Sequence, residues 1–205
     1  MRILIVDDHV VVREGVRRLL TTLPNVELFE ASDGREALSE FRKSKPAIVI
    51  LDINLGSSSG LELLQRLKAQ SKAVKVIMFT MHAEPGYVVR AIRAGAIGYV
   101  SKSAPAEELI EAVKQAAIGE KYIDRELASA LVFSPNQTDD PYLNLSNREV
   151  EILRLLGEGK SLAQMAATFG IAYKTVANSC SLLKTKLGLE RTADLIRLSI
   201  ERRDK

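Results

Sequence analysis

VILDINLGSSSGLELL, residues 49–64, runs from an apolar stretch into a single aspartate, Asp52, and then into a loop of small residues. A short apolar run of this kind predicts a strand buried on both faces. The spacing of Leu61, Leu64 and Leu67 predicts the helix that follows. Asp52 therefore stands where a buried strand hands over to a loop, with nothing large beside it to shield the carboxylate.

The same alternation recurs on both sides. RILIV (2–6), VELFEA (26–31), AIVILD (47–52), KVIMFT (75–80) and GYVS (98–101) are the apolar runs, and helix-like spacing such as Val12, Val16, Leu19 and Leu20 lies between them. Strand–helix alternation implies βαβ units and a parallel sheet covered on both faces. The expected fold class of this part is α/β: a flavodoxin-like, doubly wound, five-stranded parallel sheet.

From about residue 119 the pattern changes. EKYIDRELASALVF predicts one further helix, and SPNQTDDP (134–141) has the composition of a linker. The rest reads as helix throughout. Ser146 and Glu149 have the spacing of a capping box, and Gly157 and Gly159 end the first helix. Ser161 caps a second, Gly170 breaks it, a third spans about Ala172 to Leu187 before Gly188, and a fourth starts near Thr192. The expected division is 1–118, a linker with one helix over 119–141, and an all-α, four-helix unit over 142–205.

Charge follows the same division. Residues 1–140 hold 18 Lys/Arg against 19 Asp/Glu, a net of −1, and residues 141–205 hold 11 against 7, a net of +4. A basic C-terminal part suggests an anionic partner such as nucleic acid. Cys180 is the only cysteine, which excludes an intrachain disulfide and a dithiol motif. No apolar stretch is long enough to span a membrane, and the start MRILIVDD lacks the pattern of a signal peptide. The expected setting is the cytoplasm, with no membrane partner.

In doubly wound sheets ligands bind at the carboxyl ends of the strands, near the point where strand order reverses. Asp7 and Asp8 end the first run and Asp52 ends the third, on strands expected to be neighbours. Each alone reads as a loop aspartate capping a helix; together, like charges at one edge call for a cation. An oxygen-only set without a histidine cluster suits Mg²⁺. Thr80 ends the fourth run with a hydroxyl, and Lys102 lies just past the fifth with a compact positive charge.

LIVDDHVVVREGVR, VILDINLGSSSGLELL, VIMFT and AIRAGAIGYVSKSAPAEELIEAV resemble the receiver domain of two-component response regulators over residues 1 to about 118. The resemblance implies that Asp52 is the phosphoacceptor, exposed in its small-residue loop so that phosphorus can approach. It implies Mg²⁺ ligands Asp8, Asp7 through water, Asp52 and the backbone carbonyl of Asn54, with Lys102 neutralising charge. It makes Thr80 and Tyr99 a switch pair, the threonine turning to the phosphoryl group and the ring moving into the space left behind. His82 falls at a position that influences phosphoryl lifetime in receivers; its other reading is an exposed loop histidine. The family commonly has Met-Pro where this chain has Leu55-Gly56, and many receivers have proline directly after the lysine, where Ser103 stands here.

LSNREVEILRLLGEGKSLAQMAATFGIAYKTVANSCSLLKTKLGLERTADLIRLSI resembles the LuxR-type helix-turn-helix domain. Leu162, Met165, Ala166 and Phe169 are its expected core, with Ile171, Val176 and Leu183 supporting the recognition helix. The family's recognition helix commonly reads T-V-K-x-H, and this chain has Ala177 and Ser179 in place of the lysine and histidine. The DNA-binding candidates are Lys174, Thr175, Ala177, Asn178, Ser181, Lys184 and Lys186, while Cys180 is expected to pack inward. The last helix is the family's usual dimer contact, with Leu195, Leu198 and Ile200 as its apolar residues; the other reading is that part of this surface completes the core of the monomer.

A receiver joined to this domain resembles the NarL/FixJ family. That implies a transcriptional regulator phosphorylated by a sensor histidine kinase and binding double-stranded DNA as a homodimer, its catalysis confined to its own phosphorylation and dephosphorylation. The altered recognition helix leaves open a second reading, a receiver-controlled protein-interaction module. A third, an aspartate-nucleophile phosphatase, needs a second acid near Asp52, where Asn54 stands instead.

Overall fold

The computed structural model describes residues 1–56, 58–132, 145 and 147–203. Two compact units divide the chain, Met1–Pro135 and Asn136–Lys205.

The first unit is built on strands β1 (Arg2–Val6), β2 (Glu27–Ala31), β3 (Ile48–Leu51), β6 (Lys75–Thr80), β7 (Gly98–Ser101) and β8 (Tyr122–Ile123). Their order is β2-β1-β3-β6-β7-β8, and every pairing in this sheet is parallel. Successive side chains point to opposite faces, and both faces are dry. Ile3, Ile5, Ile48, Ile50, Ile77 and Val100 pack with α1 (Val10–Leu20) and α5 (Ala106–Ile118). Leu4, Val6, Val49, Leu51, Val76 and Met78 pack on the other face with α2 (Gly34–Ser44), α3 (Gly60–Gln70) and α4 (Pro85–Arg93). Each buried Ile or Leu contributes about 1.5–3 kcal/mol relative to an exposed one, so the sheet centre holds the fold.

The five expected strands are all present, and two features were not expected. Tyr122–Ile123, predicted as the start of a helix, pairs with Gly98–Tyr99 as a sixth strand, and the helix α6 (Arg125–Val132) begins only after it. Leu127 of α6 is buried in the core cluster that contains Tyr99. The loop after Asp52 also folds into a two-stranded antiparallel ladder, β4 (Asn54–Leu55) with β5 (Ser58–Ser59). Gly56 sits in it at φ +60°, which proline, held near −65°, cannot adopt.

The second unit contains α7 (Asn147–Gly157), α8 (Leu162–Phe169), α9 (Tyr173–Leu187) and α10 (Thr192–Arg203). The capping box expected at Ser146 lies outside the described residues. That of Ser161 is present: its Oγ accepts from Gln164 N–H at 3.3 Å, and Gln164 Oε1 accepts from Ser161 N–H at 2.9 Å. Gly170 and Gly188 close α8 and α9 in the left-handed conformation, at φ +62° and +66°. Met165, Val176, Cys180 and Leu183 are buried together, with Leu162, Ala166, Phe169 and Ile171 packed against them. Leu195 is fully buried in this core, the second of its two expected roles, while Ile196 and Ile200 are exposed. Among the described residues no helix is long and apolar enough to cross a membrane.

Candidate functional site

Register brings the acidic residues level. Val6 pairs with Leu51 across β1 and β3, so the next residues, Asp7 and Asp52, leave the sheet side by side. Thr80 ends β6 opposite Ser101 of β7, which places Lys102 at the same edge. Lys102 N–H donates to the Thr80 carbonyl at 2.8 Å.

The Lys102 ammonium is shared between two carboxylates, 2.6 Å from Asp7 Oδ2 and 2.6 Å from Asp52 Oδ2. Burial works against the charged lysine, but the hydrogen bonds and charges of Asp52 and Asp7 outweigh it and hold its pKa above the ordinary value. Asp52 is only 4 % exposed, which corrects the expectation of an open carboxylate: strand β3 ends beneath the edge, and Lys102 sits on the acid. Asp52 Oδ1 is buried without a hydrogen-bond partner among the described residues. Gly60 explains how the loop closes so tightly, because a Cβ there would lie 1.8 Å from the Asp52 backbone oxygen.

Ligand atoms of Asp7, Asp8, His9 and Asp52 all lie within 4.8 Å of one another. Three carboxylates against one ammonium leave excess negative charge, and the orphaned Asp52 oxygen lacks a positive partner, so the donor set fits a hard divalent cation. His9, which the sequence left outside the site, places Nδ1 2.7 Å from Asp8 Oδ1. Arg13 was also missed. Its Nη1 donates to the Asp7 carbonyl at 2.7 Å while Nε bonds Glu30 at 3.3 Å, which fixes the backbone beneath the acid. Helical spacing from His9 was the available signal, but the partner Glu30 is on another strand.

Thr80 is fully buried, and its Oγ1 accepts from His82 N–H at 3.4 Å. Tyr99 is fully buried as well and donates its hydroxyl to the His82 carbonyl at 2.6 Å. Burial, followed by nearby acidic groups, pushes the Tyr99 pKa up. The ring thus occupies an inner position in this conformation. His82 is not an exposed loop histidine: its side chain is 12 % exposed, stacked on Tyr87 at 4.4 Å, with Nε2 3.1 Å from Asn54 Nδ2.

In the second unit α9 buries Val176, Cys180 and Leu183 along one face. Lys174, Thr175, Asn178 and Ser181 are exposed on the other side, while Ala177 and Lys184 are half-buried at its flank. Ser181 Oγ donates back to the Ala177 carbonyl at 3.1 Å, leaving its oxygen as an acceptor. Lys186 is engaged instead with the buried Glu149, its Nζ 2.7 Å from Oε1 and 2.9 Å from Oε2. Tyr173 and Leu182, which the sequence did not single out, are exposed on this helix.

Two family models match the chain: the response regulator receiver domain over residues 3–114, and the luxR family of bacterial regulatory proteins over residues 143–199. The chain is a response regulator of the NarL/FixJ family. It is 36 % identical to the transcriptional activator protein ExaE of Pseudomonas putida, over 98 % of this chain and 96 % of that protein. It is 30 % identical to the response regulator UvrY of Escherichia coli K12, over 98 % of this chain and 94 % of that one. Among solved structures, RcsB of Salmonella enterica serovar Typhimurium, bound to a promoter in the presence of a phosphomimetic, superposes with a TM-score of 0.70. At 23 % identity, covering 97 % of this chain and 98 % of that one, it bears on the fold alone. As a family member this response regulator is a DNA-binding transcription regulator of a two-component system.

Proposed function

We propose that Asp52 accepts a phosphoryl group from a sensor histidine kinase, dependent on Mg²⁺, and that phosphorylation licenses the C-terminal unit to bind promoter DNA as a dimer. The observation that carries this reading is the Lys102 ammonium shared by Asp7 and Asp52 beside a buried Asp52 oxygen that has no partner. Asp52 Oδ1 attacks phosphorus as the P–N bond of the kinase's phosphohistidine breaks, leaving an acyl phosphate on Asp52 and the kinase's imidazole as leaving group. Asp8, Asp52 and the Asn54 backbone carbonyl, with Asp7 through water, would hold Mg²⁺, which would supply positive charge against that developing on the phosphoryl oxygens. Lys102 exchanges its bond to Asp52 for one to the phosphoryl group, acting as a fixed electrostatic partner. The Thr80 hydroxyl, which accepts a long bond from His82 N–H, turns to the same group. With Tyr99 already inside, the switch rests on that threonine.

On α9, Lys174, Thr175, Ala177, Asn178 and Ser181 face the major groove, with Asn178 suited to adenine and Lys174 and Lys184 to phosphates or base edges. Lys186 serves the fold first, through Glu149. The exposed Ile196 and Ile200 of α10 form the dimer contact. The same exposure of Tyr173 and Leu182, with Ala177 and Ser179 in place of cations, favours a partner-binding surface as the second reading.

Enrichment of a randomised duplex pool, with and without Mg²⁺ plus beryllofluoride, tests the proposal. A symmetric motif enriched only with the mimic is the expected result, and Asp52→Asn abolishes the difference. Equal enrichment in both arms removes the gate. No enrichment in either arm, with the mimic bound, replaces DNA by a protein partner.

A further inference from the structure

Asp124 lies outside the acidic centre and takes no part in the chemistry above. It is 1 % exposed and directly follows β8. Its N–H donates to the Tyr99 carbonyl at 3.1 Å, adding one rung to the β7–β8 ladder. The next rung is made by the side chain: Oδ2 accepts from Ser101 N–H at 2.7 Å, while Oδ1 accepts from Leu127 N–H at 3.0 Å. One carboxylate thus closes the end of β7 and caps the first turn of α6.

A cap alone does not require this. Serine, threonine or asparagine supply the single acceptor that a helix start needs, and a buried carboxylate is a costly substitute. The second oxygen, spent on Ser101, is the feature that capping leaves unexplained. Ser101 stands between the buried Val100 and Lys102, two residues after Tyr99, and its Oγ also accepts from Ser103 N–H at 3.2 Å. The bond therefore holds the strand end that presents Lys102, and Leu127 of α6 packs in the same core cluster as Tyr99.

We propose that Asp124 is a positioning residue that ties the Lys102-bearing end of β7 to α6. A change of partner at Lys102 is thereby delivered to the last described element of the first unit. The proposal rests on phosphorylation of Asp52 as argued above. When Lys102 gives up Asp52 for a phosphoryl oxygen, the backbone at Ser101–Lys102 shifts with it. Both groups that Asp124 binds are backbone N–H donors, which have no rotamer freedom to absorb such a shift, so it passes to the first turn of α6. This makes the start of α6 an element whose equilibrium the centre biases.

Hydrogen exchange on the full chain, with and without Mg²⁺ plus beryllofluoride, tests this in wild type, Asp124→Ser and Asp124→Asn. Serine keeps an acceptor for Leu127 but is too short to hold Ser101 as well. Asparagine keeps one acceptor and turns its amide N–H₂ on the other donor. In wild type the mimic changes exchange at the centre and across Arg125–Val132. In the variants the change stays at the centre, the mimic-induced gain in DNA affinity falls about fivefold, and affinity without the mimic is unaltered. Preserved protection of β1 reports that each variant is folded, and asparagine carries the test if serine unfolds. A merely structural role lowers protection equally in both conditions and leaves the mimic-induced difference intact. An α6 response in the variants equal to wild type overturns the proposal, as does a wild type that binds the mimic without any α6 response. A wild type that shows no change at the centre overturns the phosphorylation reading first and this one with it.

Discussion

Gly60 shows how narrowly the acidic centre is built. With a Cβ 1.8 Å from the Asp52 backbone oxygen, alanine at this position must push α3 away from the end of β3. Gly60→Ala is expected to cost the first unit roughly 1–3 kcal/mol and to abolish beryllofluoride binding. Urea titration with and without the mimic checks both, and an unchanged midpoint would mean that the loop yields without cost. The identities of Asp7, Asp8, Asp52, Thr80, Tyr99 and Lys102 were all legible as residues. What was not legible is their environment. Asp52 sits under Lys102 rather than in the open, and His82 is stacked on Tyr87. The first depends on a side chain 50 residues away, which no local spacing encodes, and the second on how the chain turns into α4.

At the scale of elements, the central strands were readable because burial on both faces demands unbroken apolar runs, and residues 3–6 and 47–51 have nothing else. Tyr122–Ile123 was not, because two residues flanked by Lys121 and Asp124 carry no period of their own; the edge of β7 recruits them. Helix α9 divides its lysines by role. Lys174→Ala is expected to weaken DNA binding across all sequences and reduce the salt slope by about one. Lys186→Ala leaves the slope nearly unchanged and lowers the stability of the second unit by up to about 1 kcal/mol, since the pair with Glu149 is half open to solvent. Filter binding over a salt series together with thermal melts separates the two, and equal slopes would return Lys186 to the DNA face. Helix α10 divides in the same way. Leu195→Ala is expected to cost about 2–5 kcal/mol as a core truncation. Ile200→Glu leaves the melting temperature in place and weakens binding to a two-half-site duplex relative to a single half-site. A loss of stability in Ile200→Glu would place that residue in the monomer core instead.

At the scale of the whole molecule, alkaline pH acts on each unit through different groups. In the first unit the pKa values of Tyr99 and Lys102 are raised, and that of Tyr122 is pushed up to about 12 by burial and by its bond to Glu108. In the second, burial pushes the Cys180 thiol up. In every case the folded state keeps a proton that the unfolded chain releases first. The stability these groups contribute is therefore complete below their ordinary values, about 8.5 for the thiol and about 10 for the others. It is lost as pH rises through the raised ones. Urea midpoints are expected to fall from about pH 8.5 for the second unit and only above about pH 10 for the first, with Cys180→Ala removing the earlier decline. Midpoints that stay level to about pH 10 in both would show that these protons are not retained by folding.

The sequence by itself determined the five-stranded parallel core, the helix-turn-helix and the placing of Asp7, Asp8 and Asp52 at neighbouring strand ends. These follow from periodicity, from turn and cap chemistry, and from the rule that strand ends carry the ligands, all of which act over a few residues. Tertiary structure alone decided that one ammonium serves two carboxylates. It alone decided that Lys186 answers Glu149 from 37 residues away, and that Asp124 joins Ser101 to α6. Such contacts are set by which groups the packed core leaves within reach of one another. A buried charge takes whatever partner stands there, because going without one costs more than any local preference can offset.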